Sequence, residues 1–150
     1  MISVDTNLLM YAYNQASPHH QAAYAWMSSL LREENVAISE LVLAELYGLL
    51  RNPAVLKVPL SAEEAVGIVQ TYRNHPRWRL IGFPLESRLL HDALWQLARR
   101  EDFAFRRLYD ARAALTMTAQ GVTEFATVNV KDYEGFGFRR VWNPLIQPTQ

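Results

Sequence analysis

A three-layer α/β/α sandwich built on a mostly parallel, five-stranded sheet is the fold this sequence predicts, and three observations predict it. Short β-branched and aromatic runs alternate with longer helical ones along the whole chain, the pattern of strand–helix–strand units. The first strand is stopped by Asp5-Thr6-Asn7, whose side chains hydrogen-bond local backbone and so hand a strand over to a helix. Finally, 50% of the 150 residues are hydrophobic, which is enough for one domain with a sizeable core.

The elements follow in order. Ile2 and Val4 set the first strand, and Leu8-Leu9-Met10-Tyr11-Ala12 begins a helix over about 8–14. Ser17-Pro18 starts a second helix, with Ala22, Ala23, Trp26, Leu30 and Leu31 on its apolar face. His19-His20 reads as surface residues, because adjacent side chains point to different sides of a helix. Val36-Ala37-Ile38 is a buried-type strand, and Ser39 caps the helix Glu40–Leu50. Asn52-Pro53 ends that helix, and 54–59 forms an irregular connection. A serine-capped helix runs from Ser61 to about Asn74, and 78–83 supplies a third strand. The helix over about 86–100 places Leu89, Leu90, Ala93, Leu94 and Leu97 inward and Asp92 in solvent. A charged loop with interleaved rings occupies 99–107, either a rim that contacts phosphates and stacks on bases or a solvated connection. The last long helix covers 111–120 and stops at Gly121. Phe125-Ala126-Thr127 and 138–142 are the fourth and fifth strands.

Composition excludes several classes. The absence of cysteine rules out disulfides and thiolate metal sites and suits a reducing compartment. Fifteen Lys and Arg against fifteen Asp and Glu argue against gripping long nucleic acid by bulk charge, though a local basic patch remains open. No apolar run approaches the roughly 18 residues a membrane span needs. The chain opens directly into a strand, without a signal-peptide pattern. These features predict a cytoplasmic protein with no membrane contact.

Chemistry enters through the acids. In a parallel sheet the carboxyl ends of the strands share one edge, where ligands bind. Asp5, Asp110 and the Asn129/Asp132 turn all fall at that edge. Glu45 sits with Val42, Leu46 and Leu49 on one helical stripe and can join them if its helix packs across the first strand. Each acid has a structural explanation: Asp5 and Asp110 are both placed to cap helices. Several carboxylates in one cleft repel each other unless cations hold them. Oxygen donors select hard ions, Mg²⁺ or Mn²⁺, which activate water and stabilise charge on a phosphoryl group. The residues alone thus point to metal-dependent phosphodiester cleavage. A polyanionic phosphodiester substrate would then need basic groups at the rim, and Arg106, Arg107, Arg112 and Lys131 flank Asp110 and Asp132 in sequence.

Four segments also carry a resemblance. Val4-Asp5-Thr6-Asn7-Leu8-Leu9, Glu45 with Leu50-Arg51-Asn52-Pro53-Ala54-Val55-Leu56, Tyr109-Asp110-Ala111-Arg112-Ala113-Ala114-Leu115 and Ala126-Thr127-Val128-Asn129-Val130-Lys131-Asp132-Tyr133 together resemble a PIN domain, in particular the VapC-type toxins of toxin–antitoxin pairs. The resemblance implies a Mg²⁺-dependent endoribonuclease, with Mn²⁺ as a substitute, inhibited by a cognate antitoxin and commonly homodimeric. It implies Asp5, Glu45 and Asp110 as the first three acids, with Asp5 and Asp110 on the metal and Thr6, Asn7 and Thr127 in support. At the place of the fourth acid this chain has Asn129, so Asp132 substitutes or an amide oxygen completes the site.

Rival readings are a haloacid-dehalogenase-type phosphatase, which would want an aspartate where Asn7 stands, and a receiver domain, whose paired acids are missing. A PIN-like module that binds RNA or a partner without cleaving is the alternative that Asn129 supports.

Overall fold

The computed structural model describes residues 1–146. Its elements are β1 (Ile2–Val4), α1 (Thr6–Tyr13), α2 (His20–Leu30), β2 (Val36–Ser39), α3 (Glu40–Leu50), α4 (Ala62–Arg73), β3 (Arg79–Ile81), α5 (Ser87–Ala98), α6 (Leu108–Ala119), β4 (Glu124–Ala126), α7 (Val130–Tyr133) and β5 (Arg140–Trp142), with a 3₁₀ turn at Phe105–Arg107. All four strand pairings are parallel and the order is β3-β2-β1-β4-β5, so the sheet is wholly parallel. From β1 the chain winds outward to β2 and β3, then returns across β1 to place β4 and β5 on its other side. The order therefore reverses between β1 and β4. In open parallel sheets that switch point is where a crevice opens at the carboxyl ends of the strands.

Side-chain alternation divides the core into two layers. Val4, Val36, Ile38 and Ala126 face a cluster with Leu8, Leu9, Met27, Leu30, Leu43, Leu46 and Leu50 from α1, α2 and α3. Ala37, Ile81 and Phe125 face the opposite way, onto Leu94 of α5 and Ala111, Ala114 and Met117 of α6. The alanines of α6 let that helix lie close on the sheet, as their small size suggests. Trp78 closes the far end of the first layer, its indole N–H donating to the Leu30 carbonyl at 3.0 Å.

Local signals place several boundaries. Ser61 and Glu64 form a reciprocal capping box at the start of α4. Ser39 accepts from the Leu41 N–H at the start of α3. Gly121 follows α6 at φ 90°, a conformation that favours glycine. Elsewhere the periodicity misled. Ala22 of α2, Leu31 just past its end, and Leu89 and Ala93 of α5 are exposed, while the unforeseen Met27 is buried. These helices are outer layers, so each buries a narrower stripe than its hydrophobic residues could cover.

Phe125 ties the second layer to the site edge. It is fully buried, tilted against Tyr133 at 4.6 Å and stacked on Phe138 at 5.3 Å between centroids. Phe125→Ala should cost about 3–5 kcal/mol in urea unfolding; a loss under about 1 kcal/mol would contradict this packing.

Candidate active site

Asp5 follows β1 directly and is only 5% exposed. Its N–H donates to the Ala126 carbonyl at 2.9 Å, carrying the β1–β4 pairing one step past the strand ends. The residue is also the N-cap of α1, its Oδ1 accepting from the Thr6 N–H at 2.7 Å. Oδ2 accepts from Thr127 Oγ1 at 2.6 Å and from Asn7 Nδ2 at 2.9 Å. Thr127 Oγ1 in turn accepts from the Asn129 N–H at 3.0 Å. Capping and site construction are thus the same geometry: the polar turn that ends β1 fixes both carboxylate oxygens.

Glu45 reaches this group through Thr6, whose hydroxyl donates to Glu45 Oε2 at 2.9 Å. The helix α3 buries Val42, Leu43, Leu46 and Leu50, and Glu45 stands exposed at the edge of that stripe. It therefore interrupts no buried face. Asp110 is not the N-cap suggested by its sequence context. The helix α6 begins at Leu108, and Asp110 lies within its first turn, half-buried, with the Tyr133 hydroxyl donating to its Oδ1 at 3.1 Å. Asp5, Glu45 and Asp110 line one cleft of about 410 Å³, together with Tyr109, Arg112 and Tyr133.

Asp132 lies on α7 beside Lys131 and Asn129, lining an adjoining groove with Asn143. Its charge still reaches Asp110. The basic residues are divided. Arg106 and Lys131 are exposed and Arg112 is half-buried over the Tyr109 ring, whereas Arg107 turns inward. Arg107 donates to the Asp132 carbonyl at 3.3 Å and lies over Phe136, with its Nε buried and without a partner.

Burial dominates the electrostatics. It raises the Asp5 carboxyl from its ordinary 3.8 to about 6 against the opposing hydrogen bonds from Thr127 and Thr6, with Glu45 and Asp110 adding repulsion. Burial also raises Asp110, opposed by the Tyr133 hydrogen bond and reinforced by Asp132. Burial, with the acids around it, pushes the Tyr133 hydroxyl far upward, so it stays protonated and remains a donor to Asp110. Sequence reasoning missed Tyr133; an aromatic four residues after Asn129 carried no signal of its own, and only the fold brings it to Asp110.

The donor set offers oxygen only, which suits Mg²⁺ or Mn²⁺. Among the described residues no three His, Cys, Asp or Glu side chains converge closely enough to enclose a cation. Magnesium typically keeps several waters and takes one or two carboxylates, so Asp5 and Asp110 facing one cleft suit it without a third ligand. Asn7 Oδ1, buried and without a partner, is a further oxygen beside Asp5.

Comparison with known proteins bears on the fold and the family. The PIN domain family matches residues 2–133. The chain is 47% identical over 145 residues to Ribonuclease VapC24 of Mycobacterium tuberculosis, covering 97% of each. Among solved structures it superimposes on Mycobacterium tuberculosis VapC20, a sarcin-ricin loop cleaving toxin, with a TM-score of 0.64 at 21% identity, over 92% of this chain and 96% of that one. VapBC2 from Rickettsia felis, bound to a promoter DNA fragment, aligns with a TM-score of 0.65 at 21% identity, over 95% and 98%. At that identity the two structures speak for the fold.

The raised Asp5 value has a consequence for stability. Because the folded state holds this proton more tightly than the unfolded chain, stability falls as pH rises from about 4 to about 6. Ionised Asp5 costs the metal-free protein about 3 kcal/mol at most above that window. Asp5→Asn removes the cost, and Asn7 can turn its unpartnered Oδ1 toward the new amide. Without divalent metal, the variant should melt higher than wild type at pH 7 and match it near pH 4. Thermal melts across that range check this, and a variant melting lower at pH 7 would contradict it.

Proposed function

The chain belongs to the PIN-domain family, and from that premise we propose that it is a metal-dependent endoribonuclease, the toxin of a toxin–antitoxin pair. One observation carries the reading. The Asp5 carboxylate is buried at the switch point of the sheet, held by donors on both oxygens and facing Asp110 and Glu45 across one cleft. Keeping a carboxylate ionised there is unfavourable unless a cation compensates it. Likeness along nearly the whole chain to a protein named as a ribonuclease supports RNA as the substrate.

In this reading Asp5 and Asp110 hold Mg²⁺, with Mn²⁺ as a substitute. The bound ion would lower the pKa of a water and offset charge developing on the phosphoryl oxygens. Glu45, exposed and tethered through the Thr6 hydroxyl, would serve as the proton acceptor at the cleft. Thr127 and Asn7 hold Asp5 in place, and Asn129 steadies Thr127 through its N–H. Asp132 adds negative potential beside Asp110. Arg106, Arg112 and Lys131 meet the phosphates, while Arg107 adds charge at the rim and tethers α7 through the Asp132 carbonyl.

The partner is an antitoxin whose segment crosses the acidic cleft, a basic side chain pairing with the carboxylates. Homodimerisation and a cytoplasmic location complete the reading; among the described residues no helix is long and apolar enough to cross a membrane. A module that binds RNA without cleaving it is the second reading. Asn129 in place of an acid, and the lack of three converging ligands among the described residues, favour it.

Digestion of total RNA separates the two. Wild type should release new ends with Mg²⁺, lose activity in chelator, and fall to background as a folded Asp5→Asn variant. Binding of RNA with no new ends under any metal would decide for the second reading.

A further inference from the structure

Tyr109 is anomalous. It lines the acid cleft one residue from Asp110, yet the residue is 70% exposed. A tyrosine in the first turn of a long helix ordinarily lays its ring on neighbouring apolar surface, because leaving it in water forfeits the gain from burial. This ring instead has the Arg112 guanidinium over it, 5.6 Å from the centroid and three residues further along α6. The same pairing recurs nearby: Phe105 is 82% exposed, with the Arg106 guanidinium 5.6 Å from its ring. Two exposed rings, each accompanied by a cation, therefore lie along 105–112, and Tyr109 is the one that lines the acid cleft.

We infer that Tyr109 is a stacking platform for one unpaired nucleobase of the substrate, with Arg112 behind the ring. The inference rests on the ribonuclease reading for the identity of the nucleic acid. A guanidinium on one side of a ring leaves the other side open to a base. Bases in a duplex are already stacked on each other and cannot present a free face, whereas those in loops and single strands can. A base held on Tyr109 would carry its phosphate to the neighbouring Asp110. Such stacking tolerates any sequence, so Tyr109 selects for strandedness and leaves sequence choice to other contacts.

The test uses the full chain and a fluorescently labelled RNA pool of random sequence, phosphorothioate-linked to resist cleavage, as a single strand and as its duplex. Anisotropy in Mg²⁺ buffer should show Tyr109→Ala binding the single strand roughly tenfold more weakly, and Tyr109→Phe within about twofold of wild type. Duplex binding should be the same for all three. Equal single-strand affinity of wild type and Tyr109→Ala would overturn the inference. So would a loss of the same size for the duplex, which would mean that the change acts through charge or folding. The exposed ring supports no core, so both variants should melt with wild type. Digestion of total RNA runs in parallel: wild type that cleaves nothing would sink the ribonuclease reading, and the binding arm would still decide the role of Tyr109.

Discussion

The structure depends on how the end of β1 is tied to the end of β4. Asp5 continues the strand pairing through its N–H to Ala126 and then turns its carboxylate to meet the Thr127 hydroxyl at 2.6 Å. One residue thereby closes the sheet at its reversal point, starts α1 and presents a buried negative charge to the crevice. The hydrogen bonds make that charge tolerable without making it cheap, since burial still outweighs them. A site that is unfavourable when empty is well prepared to bind a cation.

The remaining acids are held by different means, and the difference bears on what each can do. Glu45 is exposed and tethered only through Thr6, so it can move. Asp110 is half-buried and fixed by Tyr133, which itself packs on Phe125. Packing in the second core layer is thus transmitted to the orientation of a site carboxylate. Arg107 performs a similar service for α7, its aromatic contact with Phe136 and its bond to the Asp132 carbonyl keeping that short helix beside the cleft. A basic residue near an acidic site need not face the substrate to matter.

Much of this was legible in the chain. Alternating strand and helix signals predicted the layers, and Asp5-Thr6-Asn7 announced the turn at which the site is built. In a parallel sheet the strand ends and the helix starts share one edge, which is why Asp5 after β1 and Asp110 in the first turn of α6 could be brought together from sequence. Side-chain pairing does not follow in the same way. The Asp110–Tyr133 bond joins residues from elements on either side of β4, and no periodicity encodes it. Asp110 mimicked an N-cap because the true start of α6 follows a 3₁₀ turn with no capping side chain. Spacing sets Glu45 on a stripe with Val42, Leu46 and Leu49, whereas the helix is rotated to bury Leu43 and Leu50 instead of Leu49. A rotation of that size is set by packing on α1, which sequence spacing does not report.

The central claim is that the cluster of carboxylates around Asp5 is completed by a divalent cation. The melting temperature at pH 7 as a function of Mn²⁺ or Mg²⁺ tests it most directly, because binding to the folded state alone must raise stability by mass action. Wild type should show a progressive rise with metal, and a folded variant carrying Asp5→Asn, Glu45→Gln and Asp110→Asn should show none. An equal rise in both proteins would contradict the account.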